Sequence, residues 1–207
     1  MQQQVAEHLL EIKAIKLNSV EPFTWASGWK SPIYCDNRKA LSFPTTRSLI
    51  ANGLSTLVKE NFEVATCIAG VATAGIAWGS LVANNLEKSF CYVRPKPKEH
   101  GLGNQIEGFI RENDKIVVIE DLISTGKSSL QVVDVLQKQG FEVLGMISIF
   151  NYGFNEAIKA FEEKNVKLFS LSNYGTLLDV ALQKQFILPE QLSTLNQWSK
   201  EPSTWGK

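Results

Sequence analysis

Histidine and cysteine are scarce in this 207-residue chain: two of the first, three of the second. Cys35, Cys67 and Cys91 form no C-x-x-C pair, so neither a disulfide framework nor a zinc centre is supported. Cys67 and Cys91 stand in apolar runs, where cysteine acts as a small buried hydrophobe, a usage that fits a reducing cytosol. No charge sign is in excess, with 21 basic and 21 acidic side chains. That balance speaks against a general nucleic-acid or membrane-surface binder, which would carry surplus lysine and arginine. No apolar run approaches the ~20 residues of a membrane helix, and repeats and low-complexity segments are absent. The opening MQQQVAEHLLEIKAIKL carries acids and mixes polar with apolar residues, so it reads as an amphipathic helix rather than a secretory signal. The expectation is a cytoplasmic protein without nucleic-acid or membrane partners.

What is present suits one α/β domain: 44% hydrophobic and 20% charged residues. Helical periodicity covers residues 3–16 and 45–60, separated by a stretch that Pro22, Gly28, Pro32 and Pro44 interrupt. Beyond it, short apolar runs alternate with helical ones. VATCIAG (64–70), SFCYVR (89–94), KIVVIE (115–120), FEVLGMISIF (141–150) and VKLFSLS (166–172) predict strands; residues 75–86, 128–140 and 157–164 predict helices, and the C-terminal stretch a short helix and a tail. Such alternation implies right-handed crossovers and a parallel sheet. The core is predicted over about 45–175, with the two ends assembling beside it. Ligands of such sheets bind beyond the carboxyl ends of the strands. Attention therefore falls on the turns after Gly70 and Glu120 and on the long segment after Arg94.

The turn after Glu120 belongs to VVIEDLISTGKSS (117–129). Its Gly126-Lys127-Ser128 tail resembles the end of a nucleotide-triphosphate loop, but such a loop needs a glycine five places before Gly126, and Asp121 stands there. Backbone N–H groups at a helix start, with Ser124, Thr125, Ser128 and Ser129 hydroxyls beside them, form an anion cradle. Glu120 and Asp121 would repel a triphosphate lying across them, yet suit adjacent hydroxyls, which donate to carboxylates. A ribose diol followed by a 5′-phosphate matches that order. The plain alternative is an acidic strand end followed by an ordinary Ser/Thr helix cap.

YVRPKPKEHGLGNQIEG (92–108) gathers Arg94, Lys96, Lys98 and His100 within seven residues, then glycines at 101, 103 and 108. Flanking glycines and few apolar groups predict a mobile loop, and clustered cations predict closure over an anion such as pyrophosphate. Taken alone the run also fits a solvated surface hairpin. FTWASGWKSPIYCDNR (23–38) contributes turn signals at Ser-Gly and Ser-Pro, with Lys30 and Arg38 as further cations of unassigned direction.

These motifs carry a resemblance. VVIEDLISTGKSS resembles the phosphoribosyl-pyrophosphate (PRPP) signature of the type I phosphoribosyltransferases: four apolar residues, two acids, two apolar residues and a small Thr-Gly loop. The pattern R-x-x-x-K-x-H-G-x-G from Arg94 resembles the catalytic loop of the orotate phosphoribosyltransferase family, and FTWASGWKSP its segment F-x-x-x-S-G-x-x-S-P. Four departures stand out: Ala26 where the family often has lysine before Ser-Gly, Pro95 where a further lysine often follows the loop arginine, Thr73-Ala74 where many members have Tyr-Lys, and FNYG (150–153) without the arginine that often faces the orotate carboxylate. The resemblance implies a type I phosphoribosyltransferase-like α/β fold, a parallel sheet flanked by helices. A small hood would form from residues 1–40 and the C-terminal tail.

It further implies joining of orotate to PRPP with release of pyrophosphate, giving orotidine 5′-monophosphate for pyrimidine synthesis. Arg94, Lys98 and His100 would face pyrophosphate, and Glu120 and Asp121 the ribose hydroxyls. Leu122, Ile123, Ser124, Thr125, Gly126, Lys127 and Ser128 would wrap the phosphate end of PRPP, with Ser124 and Lys30 toward orotate. Arg94, Lys98, His100 and Asp121 are the expected catalytic set. Mg²⁺ would ride on pyrophosphate, with no protein residue assigned as its direct ligand, and a homodimer would carry the 94–103 loop into the partner's site. A purine phosphoribosyltransferase, a PRPP-sensing nucleic-acid-binding regulator and a nucleotide-triphosphate hydrolase are the competing readings.

Overall fold

The computed structural model describes residues 1–25, 27–96 and 105–206. Helix α1 (Gln2–Glu11) opens the chain and packs Val5, Ala6, Leu9 and Leu10 inward. The predicted helix over 3–16 stops early. Lys13 takes φ +56°, and β1 (Ile15–Leu17) runs on instead. The helical rhythm reaches Ile15 because that residue is still buried, but a turn brings it there rather than another helical coil. After the small hairpin of β2 (Phe23–Thr24) and β3 (Lys30–Ser31), β4 (Ile33–Cys35) pairs antiparallel with β1. A 3-10 helix (Asn37–Ser42) then leads into α2 (Pro44–Asn61), which Pro44 starts at a position where its missing N–H costs nothing.

The central sheet is built from β5 (Cys67–Val71), β6 (Ser89–Val93), β7 (Ile106–Gly108), β8 (Lys115–Ile123), β9 (Glu142–Asn151) and β10 (Leu168–Asn173). Helices α3 (Ala74–Leu86), α4 (Lys127–Lys138) and α5 (Asn155–Glu163) fall between them, and α6 (Tyr174–Gln183) and α7 (Gln191–Lys200) follow. The order across the sheet is β10-β9-β8-β5-β6-β7, parallel except for β7. Alternate residues of each strand serve opposite faces. Val117 and Ile119 pack into a core shared with α1, α2, α3 and α6, while Ile116 and Val118 join Leu130, Val133 and Leu136 of α4 and Phe161 of α5. Cys67 and Cys91 belong to this second core as buried hydrophobes.

Three further elements depart from the sequence reading. Strand β8 runs through Ile123 rather than ending at Glu120, because Leu122 and Ile123 still pair with Phe150 and Asn151 of β9. The phosphate turn therefore begins three residues later, and both acids sit within the strand. Strand β7 went unpredicted because three residues with one buried side chain, Ile106, show no period. Helix α6 extends the core past residue 175, started by Asn173, whose side chain accepts from the Thr176 N–H at 3.0 Å.

The chain ends divide their work. Helix α1 lies against α6, β10 and α2, in the main core. The β2–β3 hairpin and α7 meet instead over Tyr152: Trp198 of α7 lies 5.7 Å from both Trp25 and Tyr152, and its indole N–H donates to the Lys30 carbonyl at 3.2 Å.

Candidate active site

Strand β5 sends its chain outward to β6 on one side of the sheet, and its neighbour β8 sends its chain to β9 on the other. The carboxyl ends of β5 and β8 thus flank a point where the winding reverses, the place where open parallel sheets leave a crevice for ligands. All three loops marked in the sequence reach it. Ala72, Arg94, Pro95 and Ser128 line one small cavity of about 50 Å³.

Beyond β8 the chain turns through Ser124 and Thr125 into Gly126, which takes φ +77° and starts α4. Glycine is required there twice over: an L side chain rarely adopts that φ, and a Cβ would lie 2.7 Å from the Phe161 ring. The open N-terminal turn of α4 presents its backbone N–H groups, with Ser124 and Thr125 half-buried and Lys127 and Ser128 exposed. Ser129 faces the other way. Its hydroxyl donates to Glu120 Oε2 at 3.0 Å, while Glu120 Oε1 accepts from the Asp121 N–H at 2.9 Å. Glu120 is buried and so ties β8 to the start of α4.

Burial, then the neighbouring Asp121 charge, pushes the Glu120 carboxyl well above the ordinary glutamate range. Asp121 is raised too, chiefly by burial, but Glu120 and the Arg38 charge pull it back. The two acids are therefore unequal: Glu120 is the deeper and more readily protonated, and Asp121 remains the half-buried acceptor. Buried Asn37 supports this strand end by donating to the Asp121 carbonyl at 2.7 Å.

In the turn after β5, Gly70 and Gly75 serve packing as much as ligand approach. A Cβ on Gly75 would sit 2.4 Å from the Ile119 carbonyl oxygen, and one on Gly70 would sit 2.7 Å from that of Gly75. The Ala72–Thr73 peptide between them is cis. Arg94 and Gln105, flanking the polar segment, are joined by the Arg94 N–H to Gln105 carbonyl bond at 2.8 Å and by Gln105 Nε2 donating back at 3.2 Å. The Arg94 guanidinium lies 3.6 Å from Glu107. Lys96 is exposed, and Lys98 and His100 lie outside the described residues.

A larger cavity of about 360 Å³ opens on the other side of the β8 end, lined by Thr24, Trp25, Tyr34, Cys35, Arg38, Leu122, Ser124 and Tyr152. Ser124 joins it to the phosphate cradle. Trp25 is fixed by its indole N–H donating to the Ile33 carbonyl at 3.0 Å, and its ring centre lies 5.2 Å from that of Tyr152. The Cys35 thiol donates to Asn37 Oδ1 at 3.3 Å, and burial with Asp121 and Asp36 nearby keeps it protonated. Lys30 stands one residue back: its Nζ donates to the Thr24 hydroxyl at 2.9 Å, and Thr24 lines the cavity. Sequence reasoning passed over Trp25, Tyr34, Cys35 and Tyr152. Aromatic residues there look like core until the hairpin is seen to fold over the sheet end.

A largely apolar recess, two adjacent acids and the open N-terminal turn of α4 follow one another along the end of β8. In comparison with known proteins, a model of the phosphoribosyl transferase domain matches residues 47–185. The orotate phosphoribosyltransferase of Listeria innocua is 53% identical over 207 residues, covering 100% of this chain and 99% of that protein. Among solved structures, orotate phosphoribosyltransferase from Aeropyrum pernix superposes with a TM-score of 0.75 at 26% identity, over 89% of this chain and 99% of that one. The Leishmania donovani UMP synthase shares the fold, with a TM-score of 0.79 at 23% identity over 95% of this chain and 42% of that one. The chain belongs to the phosphoribosyl transferase family, in its orotate phosphoribosyltransferase branch.

Proposed function

We propose that the protein transfers ribose 5-phosphate from PRPP to orotate, giving orotidine 5′-monophosphate and pyrophosphate in pyrimidine synthesis. The observation that carries this reading is the position of Ser124, which belongs to the phosphate cradle and also lines the 360 Å³ cavity. A ribose lying over Asp121 would have its phosphate on one side and its base on the other.

In the reaction the bond from the ribose anomeric carbon to a pyrophosphate oxygen breaks, a bond from that carbon to an orotate ring nitrogen forms, and the proton that nitrogen carried passes to the departing pyrophosphate or to water. The N–H groups of Thr125 to Ser128 hold the 5′-phosphate, and Asp121, with Glu120 behind it, accepts from the ribose hydroxyls. Fixing both ends of the sugar removes orientational freedom from the transition state. Arg94 with Lys98 and His100 offsets charge growing on the departing pyrophosphate. Ser124 contacts orotate, with Lys30 behind Thr24.

The carboxylates at this site are hard oxygen donors of the kind Mg²⁺ takes, yet no three acidic, histidine or cysteine side chains gather at one point among the described residues. The fit is therefore to an ion held chiefly by pyrophosphate oxygens and water, with Asp121 and Glu120 nearby; when bound, it neutralises the leaving group. A homodimer in which the 94–103 loop serves the partner's site, and a cytoplasmic location, complete the proposal. Among the described residues, no helix is long and apolar enough to cross a membrane. Incubation with PRPP, Mg²⁺ and orotate, followed by orotate absorbance, is the direct test. Loss of orotate matched by pyrophosphate release is expected. Turnover of adenine or hypoxanthine alone would point to the purine reading, and specific RNA or DNA binding without pyrophosphate release to the regulator.

A further inference from the structure

Orotate differs from uracil by one carboxylate, and the base cavity already faces acids. Asp36 and Asp121 lie close enough to raise the Cys35 thiol by their charge. An anionic base needs a cation there, but position 26 is alanine and the FNYG segment holds no arginine. Among the described residues lining the cavity, Arg38 carries the only positive charge. Its Nε donates to Asp36 Oδ1 at 2.7 Å, which fixes the plane of the guanidinium, and its terminal nitrogens make no hydrogen bond to the described residues. Lys30 is a weaker candidate, since its Nζ is engaged by Thr24 and it stands outside the lining.

A second observation points to the same spot. Tyr152, the aromatic residue of FNYG, is 4% exposed and lines the cavity, and none of the described residues hydrogen-bonds its hydroxyl. Its ring is held by Phe154 stacked at 5.2 Å and by Trp25 and Trp198 around it. The hydroxyl is not sealed in the core but opens on the cavity, where it can donate to a ligand oxygen.

We infer that Arg38, with the Tyr152 hydroxyl as second donor, seats the carboxylate of the base substrate and makes this site select an acidic pyrimidine. The inference rests on the orotate reading above. A guanidinium fork matches a carboxylate with two parallel hydrogen bonds, whereas a lysine offers only a point charge. The departures at Ala26 and FNYG are then compensated from the 3-10 helix after β4.

The test compares wild type with Arg38→Gln, Arg38→Lys and Tyr152→Phe. It measures KM for orotate and for PRPP, and the dissociation constants of orotate and of uracil. Arg38→Gln should raise KM and Kd for orotate about 10–100-fold, the scale of a lost charge-assisted pair. Arg38→Lys should recover part of that loss, and Tyr152→Phe should cost several-fold. Uracil binding should stay within about twofold, as it does not involve the carboxylate, and PRPP KM should change much less than orotate KM, since Arg38 meets the PRPP site only through its charge on Asp121. Unchanged orotate affinity in Arg38→Gln, or equal losses for uracil or PRPP, would overturn the inference. Absence of orotate turnover in wild type would sink the reaction reading instead. The binding arm would still decide the role of Arg38: no preference for orotate over uracil would count against it.

Discussion

Glu120 shows at one residue how structure and chemistry are shared. Its two oxygens accept from Ser129 and from the Asp121 N–H, so it holds the strand end against the cradle helix. Burial first, and the Asp121 charge second, keep its proton on at pH values where an unfolded glutamate has lost it. The folded chain then binds more protons than the unfolded one. Stability falls as pH rises from the ordinary value of 4.5 toward the raised folded value. Glu120→Gln keeps both contacts, since its carbonyl can accept from the Asp121 N–H and its amide can donate to Ser129. The melting temperature of this variant should therefore gain on wild type as pH increases above 4.5. A constant offset between the two across that range would mean that Glu120 is ionised in the folded protein.

At the scale of elements, the site depends on how tightly α3 seats on β5 and β8. Gly75 lies against the Ile119 carbonyl and Gly70 against Gly75, so helix and strand meet backbone to backbone where the Ala72–Thr73 turn leaves the sheet. Gly75→Ala would bring a Cβ to 2.4 Å from that carbonyl oxygen and force the helix outward. The expected cost is about 2–3 kcal/mol, or roughly 4–12 °C in melting temperature. PRPP affinity, read by calorimetry, should fall with it; an unchanged melting temperature would contradict this packing. The sequence marked this turn only as the end of a strand, because sequence alone does not reveal which backbone lies opposite Gly70 and Gly75. The strands from KIVVIE onward were legible because an apolar run buried on both faces stands out from polar helices around it. Strand β7 was too short to carry a period. The early end of α1 was hidden because Ile15 is buried in either conformation.

At the scale of the molecule, the cradle and the acids were readable as one contiguous run. The base cavity was not, since its walls come from residues 24–38, 122–124 and 152, which only the fold brings together. Arg38 was visible as a cation, and its direction became clear only when Asn37 was seen pinned to the Asp121 carbonyl. The proposed shared dimer makes its own prediction. Lys98→Ala and Asp121→Asn should each be nearly inactive alone. Mixed dimers of the two should regain a site with both functions intact, so activity should return on co-expression. No recovery in verified mixed dimers would place the loop in its own subunit's site.

The central claim is the choice of base, and competition tests it most directly. The protein is given PRPP and Mg²⁺ with equal amounts of orotate, adenine and hypoxanthine, and the nucleotide formed is identified by mass. Orotidine 5′-monophosphate as the dominant product, with one pyrophosphate released for each, is the predicted result. A purine nucleotide, or no nucleotide from a protein that still binds PRPP, would contradict it.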